Sequence, residues 1–340
     1  MKSPRPNATV DRKKAKEAAK DYATAFSHGE LCAAAHNGKL EIVQRLISGG
    51  ESPNSTNRFG KTPLMHASEN GHIEIVKWLT EQGAEINYQT PKCPETGGRL
   101  SALHFAAQKG QTSVIQRLVE RGANINSLDG DGVTPLVHAL FQKRIEAAEQ
   151  LLILGADAGI VGNQGETAIG AAVMAGAHRM VEMLLARGVD IQVIDPFGQG
   201  LLHIAASNND SIEVSRFISL GLPVDQLSSV TGTPLIYACL GDAIDAARIL
   251  LESRASVNAV LANEHGWTAL FYAIAKRSSR MVDLLLRYGA DVNLRCKNPL
   301  AGSFKNTSEF LTARQLASRH PDPEVIRLLD AALKALPGSV

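Results

Sequence analysis

The chain has 340 residues, of which 44% are hydrophobic and 20% charged, which is enough apolar material for a continuous core and excludes an intrinsically disordered chain. Its 35 Lys and Arg residues balance 34 Asp and Glu residues, so a net charge of +1 gives none of the basic excess typical of nucleic-acid-binding proteins. Aromatic residues make up only 5%, which is low for a β-sandwich or barrel and favours an α-rich fold.

The N-terminal segment, residues 1–28, is basic. Its first twenty residues hold seven Lys or Arg and two acidic residues, and the run Arg12–Lys16 is typical both of a nuclear import signal and of a solvated helix face that caps a first repeat. Asp11–Ser27 is rich in alanine and lysine and is predicted to be a helix. No apolar segment follows the N-terminus, and no run reaches the ~20 apolar residues of a membrane span. We therefore expect no secretory signal and no membrane partner, and a cytoplasmic and/or nuclear location.

An internal repeat then extends over most of the chain. Gly60–Ala67 contains the pattern Thr-Pro-Leu followed by a fixed alanine, and Ser101–Ala106 and Gly200–Ala205 match it closely. Successive steps between the fixed alanines are 33, 39, 33, 33, 33, 33, 35 and 44 residues. The fixed alanines are Ala34, Ala67, Ala106, Ala139, Ala172, Ala205, Ala238, Ala273 and Ala317. A recurring 33-residue unit indicates one supersecondary element copied in tandem.

This period, together with the Thr-Pro-Leu-His-x-Ala pattern, resembles the ankyrin-repeat family. The resemblance covers residues 29–333 in about nine copies and leaves residues 334–340 as a C-terminal tail. It implies an all-α fold, an ankyrin-repeat solenoid of stacked helix–turn–helix units joined by β-hairpin-like loops. The first copy lacks the Thr-Pro start and the last has Arg314 at a position that is Leu or Ile elsewhere, so both are expected to act as terminal caps.

The repeated residue types have local structural explanations. A Thr before each first helix can cap it, and a Pro at its first position loses no hydrogen bond. The threonines are Thr62, Thr134, Thr167, Thr233 and Thr268, and the prolines are Pro63, Pro135 and Pro234. The second helix is predicted to end at a left-handed glycine, which Arg254 replaces in one copy. These glycines are Gly50, Gly83, Gly122, Gly155, Gly188, Gly221 and Gly289.

An asparagine recurs in the turn that follows the second helix. At that place Asn tolerates the left-handed conformation and can bond its own backbone, so a structural turn role is predicted. In the family that the chain resembles, the same position is also a known site of modification. The asparagines are Asn54, Asn87, Asn126, Asn258 and Asn293.

Extra residues interrupt the period at three places. Tyr88–Gly98 contains two prolines and two glycines, and it is predicted to be a solvent-exposed loop. A two-residue extension lies near Asn258–Glu264, and the largest insertion, Arg295–Phe310, is also predicted to be an exposed loop.

The sequence offers no catalytic, cofactor-binding or metal-binding residues. Phosphate-binding loops, dinucleotide fingerprints, nucleophile elbows and zinc-protease motifs are all absent, and the four cysteines form no pair with metal-ligand spacing. His66, His104, His138 and His203 lie in different repeats, and the resemblance implies a hydrogen-bond network between adjacent units instead of a metal site. An enzyme is therefore not expected.

The resemblance implies a non-enzymatic protein-interaction scaffold or adaptor, monomeric on its own, that binds an unidentified protein or peptide on the concave face and hairpin tips. Two alternatives stay open: a nuclear regulatory protein with a basic import signal, and a pathogen effector or catalytic protein with an unrecognised site. Nucleic acid is not the expected partner, because residues 21–340 sum to −4. Residues just before the Thr-Pro start, or two to three positions after the fixed alanine, are predicted to contact the partner, with the large apolar ones as anchors and the basic ones as a polar rim. These residues are Arg58, Phe59, Lys61, Gln108, Lys109, Phe141, Gln142, Met174, Phe197, His265, Trp267 and Lys276.

Overall fold

The computed structural model describes residues 29–91, 98–229, 232–260, 266–297, 310–319 and 321–335. These residues belong to two compact units, residues 1–163 and residues 164–340. The basic N-terminal segment with its predicted helix lies outside the described residues, as does the end of the C-terminal tail. Part of each of the three insertions lies outside them as well.

The first unit consists of four helix–turn–helix pairs in its described part. First helices pack on the first helices of the next pair, and second helices pack on second helices, with the apolar core between the two rows. The helices are α1 (Glu30–His36), α2 (Leu40–Ser48), α3 (Pro63–Glu69), α4 (Ile73–Glu81), α5 (Ala102–Lys109), α6 (Thr112–Glu120), α7 (Pro135–Phe141) and α8 (Ile145–Ile153).

The second unit has five such pairs in its described part and one short antiparallel sheet. Its first helices again form one packed row, and the second helices from α12 to α18 form another. The elements are α9 (Ala168–Ala175), α10 (His178–Leu185), α11 (Leu201–Ser207), α12 (Ser211–Ser219), α13 (Pro234–Leu240), α14 (Ile244–Glu252), α15 (Ala269–Ala275), α16 (Ser279–Arg287), β1 (Arg295–Lys297), β2 (Phe310–Thr312), α17 (Ala313–Arg319) and α18 (Pro323–Lys334). The predicted all-α repeat-solenoid class is confirmed.

The fixed alanines lie in the core of each repeat. All nine are buried, and eight of them have no exposed surface. Because these methyl groups are buried, a larger residue in their place would overpack the core by about 1–3 kcal/mol. The 33-residue spacing of alanine is thus a packing requirement of each repeat.

Three of the five predicted threonine caps are present. The Oγ1 atoms of Thr62, Thr134 and Thr167 accept hydrogen bonds from the backbone N–H three residues later, at 3.3, 3.4 and 3.1 Å. The prediction is wrong for Thr233 and Thr268, which occupy the cap position in extended backbone but accept no such bond. Their hydroxyl oxygens are buried without a hydrogen-bond partner, because the cap geometry in α13 and α15 does not bring the third N–H within reach.

The predicted ends of the second helices are confirmed. All seven glycines have positive φ, from 73° at Gly188 to 100° at Gly50, which is the left-handed conformation of a helix C′ residue. Arg254 adopts the same conformation, with φ 68°. An L-residue with a side chain is strained there by about 1–2 kcal/mol, so this repeat ends its second helix at an energetic cost.

The recurring asparagines do not have the predicted geometry. None is left-handed, and the side chains of four of them bond the backbone of the next repeat instead of their own; these four are Asn54, Asn87, Asn126 and Asn258. Asn87 Nδ2 donates to the Gly122 carbonyl at 3.0 Å, while Asn87 Oδ1 accepts from the Asn124 N–H at 2.7 Å. Asn54 and Asn258 each make the same pair of bonds to the repeat that follows them. The amide is favoured because one side chain supplies both a donor and an acceptor to the backbone of its neighbour.

Two insertions begin and end with paired backbone, contrary to the prediction of exposed loops. Arg295–Lys297 pairs antiparallel with Phe310–Thr312 as β1 and β2. Cys296, the middle residue of β1, is fully buried. Thr90 is also buried, and it exchanges backbone hydrogen bonds with Arg99 and Leu100. Because each insertion begins and ends at the base of a hairpin, its two ends lie side by side, and their backbones pair. The residues between these arms, 92–97 and 298–309, lie outside the described residues.

Candidate functional site

One Asn or Asp side chain holds the hairpin before each of three first helices. Before α3, Asn57 Oδ1 accepts hydrogen bonds from the N–H groups of Phe59 and Lys61, both at 3.0 Å. Asp129 and Asp195 make the equivalent bonds before α7 and α11, at 2.8 to 2.9 Å. These side chains satisfy donors that a tight turn would leave unpaired, and they hold the residue two positions later at the hairpin tip.

A phenylalanine occupies this tip position in one hairpin of each unit. Phe59 is 63% exposed and Phe197 is 54% exposed. The Arg58 guanidinium lies over the Phe59 ring, with its Cζ 4.6 Å from the ring centroid, which orients the ring by a cation–π contact. The Phe197 carbonyl accepts hydrogen bonds from the N–H and Oγ of Ser229, at 2.7 and 2.9 Å, which join this tip to the following hairpin. Both rings are thus held on ordered backbone.

Two of the predicted lysines converge on one carboxylate that the sequence prediction missed. Lys61 Nζ lies 2.9 Å from Glu69 Oε2, and Lys109 Nζ lies 3.7 Å from Glu69 Oε1. Lys61 also stands over the Phe105 ring, 4.0 Å from its centroid. Burial would raise the pKa of Glu69, but the hydrogen bond from Lys61 and the two lysine charges outweigh it and lower that pKa. Lys61 and Lys109 therefore join consecutive repeats as well as lining this surface.

Gln108 belongs to a polar chain that crosses two repeats. Its Nε2 donates to His138 Nδ1 at 3.0 Å, and His138 Nε2 donates to Asp129 Oδ2 at 2.7 Å. Burial tends to raise the pKa of Asp129, but the bond from His138 and the backbone N–H groups of Val133 and Asp131 lower it overall. The amide nitrogen of Gln108 therefore bonds the next repeat.

The remaining positions at the ends of the first helices are exposed. Phe141 and Gln142 lie at the end of α7, with Phe141 38% exposed, and Met174 lies near the end of α9 with 46% exposed. Lys276 directly follows α15 and is exposed. Each unit therefore presents large apolar side chains on the side formed by hairpins and first-helix ends.

Trp267 is half-buried in the second unit. Its ring meets Tyr272 edge-on with centroids 4.9 Å apart and lies tilted against Phe271 at 6.3 Å. Trp267 therefore packs along α15 in addition to offering part of its surface to solvent. His265, the remaining predicted contact residue, lies outside the described residues.

Both units also have exposed aliphatic residues at a recurring position that the sequence prediction overlooked. In five successive repeats, the residue six positions after the helix-ending glycine, or after Arg254, is aliphatic and exposed. In the first unit these are Leu128 and Val161, and in the second unit Ile194, Leu227 and Val260. Their regular 33-residue step could have identified them. Glu69 lies two positions after the fixed alanine Ala67, so the rule that predicted the other contact residues would also have identified it.

The histidines form hydrogen bonds within and between repeats, and their rings meet edge-on in pairs, with centroids 5.4 Å apart for His104 and His138 and 5.6 Å apart for His36 and His66. His104 Nδ1 accepts from the Ser101 N–H at 3.1 Å, and its Nε2 donates to the Val133 carbonyl of the next hairpin at 3.2 Å. His203 bonds the Gly232 carbonyl in the same way at 3.1 Å, and His138 accepts from Gln108 of the preceding repeat, so the predicted network is present at these three positions. His66 instead bonds its own hairpin, where Asn57 Nδ2 donates to its Nε2 at 3.0 Å.

Burial also raises the pKa values of the cysteine thiols in the described residues. It raises the pKa of Cys32 and of Cys296 to about 11, and it raises the pKa of Cys239 further. Buried thiols with such pKa values are poor nucleophiles. Within the described ranges, no group of three or more His, Cys, Asp or Glu side chains is placed to hold a metal ion. None of the helices described here is long and apolar enough to cross a membrane.

Comparison with known proteins agrees with the repeat geometry. The family model for ankyrin repeats matches residues 28–90, 89–161, 136–222 and 202–296. The chain is similar to the E3 ubiquitin-protein ligase KEG of Arabidopsis thaliana, with 25% identity over 77% of this chain and 17% of that protein. It is similar to the ankyrin repeat domain-containing protein SAT10 of Stachybotrys chartarum, with 27% identity over 85% of this chain and 14% of that protein.

A third relative is the human transient receptor potential cation channel subfamily A member 1. It is 25% identical over 85% of this chain and 29% of that protein. In all three relatives the match spans less than a third of the relative's own length. The likeness is thus to a repeat region that occurs within larger proteins of different kinds.

Proposed function

The chain belongs to the ankyrin-repeat family, whose repeats generally mediate protein–protein interaction, and on this premise we propose that it is a non-enzymatic interaction scaffold or adaptor. Its partner is a protein or peptide that docks on the hairpin tips and first-helix ends. We further propose a cytoplasmic and/or nuclear location and a monomeric state in the absence of the partner.

The exposed phenylalanines at the hairpin tips carry this proposal. Phe59 and Phe197 are large apolar side chains that stay more than half exposed, yet Asn57 and Asp195 hold both of them on ordered turns. Aromatic side chains on rigid backbone lose little conformational entropy on binding, and they dominate the energetics of protein interfaces. The Arg58–Phe59 pair adds a guanidinium that can bond a partner's carbonyl or carboxylate.

The charged residues around the hairpin tips support the proposal, because they would form a polar rim around the apolar side chains. Lys61 and Lys109 share the Glu69 carboxylate, and about half of the Lys109 side chain (49%) is exposed. An apolar centre with a polar rim is the ordinary composition of a specific interface, which buries about 800 Å² on each side. Several adjacent repeats of one unit supply an area of this size.

Binding measurements on alanine variants test the proposal. After the partner is purified by affinity capture, its Kd should rise about 30-fold for Phe59→Ala and for Phe141→Ala, because each removes about 2 kcal/mol of buried aromatic contact. The matched control is Ile153→Ala, which removes an apolar residue that is 69% exposed at the end of a second helix. This control should leave the Kd unchanged.

Thermal unfolding separates binding from folding in the same variants. Phe59→Ala should leave the melting temperature unchanged, whereas Trp267→Ala should lower it, because Trp267 packs on Tyr272 and Phe271. Unaltered binding by both Phe59→Ala and Phe141→Ala, or equal weakening by Ile153→Ala, would contradict the proposed surface.

A nuclear regulatory role is the second candidate, and the basic residues 1–20 favour it. Their net charge of +5 is suited to an import receptor or to another anionic partner. Comparing the cellular distribution of the full chain with that of a variant in which Lys13, Lys14 and Lys16 are replaced by glutamine tests this role. Loss of nuclear accumulation supports it, and an unchanged distribution contradicts it.

A further inference from the structure

The C-terminal part of the chain carries an excess of positive charge. Residues 266–340 contain 11 Lys or Arg and 6 Asp or Glu, a net charge of +5, whereas residues 21–265 contain 17 and 26, a net charge of −9. A local excess of this size on an otherwise acidic chain concentrates the attraction for anionic groups in one region.

Part of this charge is neutralised within the second unit. Arg287 pairs with Asp283 at 2.7 Å on α16, and Arg327 pairs through two nitrogens with Glu324 on α18. Arg314 forms a similar pair with Asp330. These arginines already have carboxylate partners.

Three further basic residues of this region lie close together on one turn. Lys276, Arg277 and Arg280, which we call the basic turn, join α15 to the start of α16, and all three are exposed. Their side chains pair with none of the carboxylates in the described residues. Packing does not require a basic residue here, because glycine or asparagine occupies the place of Arg277 in several other repeats, for example Gly71 and Asn209.

A charged groove continues from the basic turn. It has a volume of about 270 Å³ and lies between α16 and α18. Arg280 lines it at the basic turn, and Arg287 and Arg327 line it further along, alternating with Asp283 and Glu324. An extended chain placed in this groove would meet cationic groups separated by carboxylates and by the apolar side chain of Leu328.

We propose that the basic turn and this groove dock an acidic protein segment, rich in Asp and Glu, of the partner. The inference deepens the proposed function and rests on it. Carboxylates of the segment pair with the unpaired cations of Lys276, Arg277 and Arg280, and Arg287 and Arg327 supply further donors by exchanging their internal partners.

The alternation of charge in the groove favours a protein segment over a polyphosphate or a membrane surface. Asp283 and Glu324 would repel a continuous row of phosphates, but they can accept hydrogen bonds from backbone N–H groups and polar side chains between the acidic residues of a peptide. The net charge of −9 on residues 21–265 further opposes long polyanions. A short acidic segment can avoid that charge.

Binding of a defined probe tests the inference on the full chain. The probe is a fluorescein-labelled peptide that alternates glutamate and glycine, and its control peptide has glutamine in place of glutamate. The variant Lys276→Gln/Arg277→Gly/Arg280→Gln should bind the glutamate peptide at least about tenfold more weakly than the original chain, with a smaller dependence on salt. Because Arg277 has φ 58°, its replacement by glycine relieves strain and should leave the variant folded.

A single-residue pair supplies the matched control. Arg277→Gly and Lys143→Gly each remove one exposed basic residue with positive φ from the equivalent turn, in the second and first units respectively. Arg277→Gly should weaken peptide binding about two- to threefold, and Lys143→Gly should not change it.

Several outcomes would overturn the inference. These are equal affinity of the original chain and the triple variant, equal affinity for the glutamate and glutamine peptides, or no binding of the glutamate peptide. Tighter binding to phosphatidylserine vesicles or to duplex DNA, lost in the triple variant, would assign the basic turn to a different class of partner. Any of these results leaves the proposed function standing if Phe59→Ala still weakens binding of the captured partner about 30-fold, so the two failures are distinguishable.

Discussion

Two buried histidines make the first unit sensitive to mild acid. His104 has no exposed surface, and its Nδ1 accepts a hydrogen bond from the Ser101 N–H, which fixes the neutral tautomer. His66 Nε2 likewise accepts from Asn57 Nδ2, an orientation that is certain because Asn57 Oδ1 already accepts two N–H groups. A proton added to either acceptor nitrogen would face a donor in a buried site.

Burial is the main cause that lowers the pKa of each histidine to about 4, from 6.5 in the unfolded chain. Below pH 6.5 the unfolded chain therefore binds more protons than the folded one, and the free energy of unfolding falls as the pH falls towards 4. Between pH 7 and pH 5 each histidine should remove about 2 kcal/mol, and the pair about 4 kcal/mol. Glu69 and Asp129 have lowered pKa values, so the stability that they contribute is lost only at lower pH.

Urea unfolding at pH 7, 6 and 5, followed by circular dichroism, measures this effect. The quantity to compare is the loss of unfolding free energy between pH 7 and pH 5 in the original chain and in His66→Gln and His104→Gln. Each variant should be less stable at pH 7, but its loss on acidification should be smaller by about 2 kcal/mol. An equal loss in the original chain and in the double variant would refute the reasoning.

Four further substitutions test the local physics of the repeats. Thr62→Val should cost about 1 kcal/mol because it removes a cap, whereas Thr233→Val should be neutral or stabilising, because the Thr233 hydroxyl is buried without a partner; urea unfolding of both checks this. Asn87→Ala should lower the unfolding free energy by about 1 kcal/mol through the loss of its bonds to the next repeat, and hydrogen exchange should increase at the N–H of Asn124. Arg254→Gly should raise the unfolding free energy by about 1 kcal/mol in calorimetry, and an unchanged or lower value would show that the φ of 68° carries no strain.

The repeat architecture was predictable because each of its signals acts locally. A threonine cap, a proline at the first helical position, a buried alanine and a left-handed glycine each concern one turn of backbone, so the 33-residue period predicts their places. The caps at Thr233 and Thr268 were predicted wrongly because residue type does not settle whether the hydroxyl reaches an N–H. The bonds of Asn54 and Asn87 were mispredicted because their partners lie one repeat away, beyond the range of turn chemistry.

The candidate site was predictable to a smaller extent. Sequence position alone identifies Phe59 and Phe197 as tip residues, but the ordering of their turns by Asn57 and Asp195 depends on side-chain geometry. The shared use of Glu69 by Lys61 and Lys109 depends on the packing of α3 against α5. The basic turn was only partly found, through Lys276, because which cations already have carboxylate partners becomes evident only when the helices are packed.

Site-specific photo-crosslinking to the captured partner tests the central claim most directly. A photoreactive phenylalanine analogue placed at residue 59 or 197 lies at an exposed hairpin tip, and the same analogue at residue 153 or 212 lies on a second helix with similar exposure. We predict covalent adducts with the partner from a hairpin-tip position and none from the two second-helix positions. Adducts formed only from residues 153 or 212, with none from residues 59 and 197, would contradict the account.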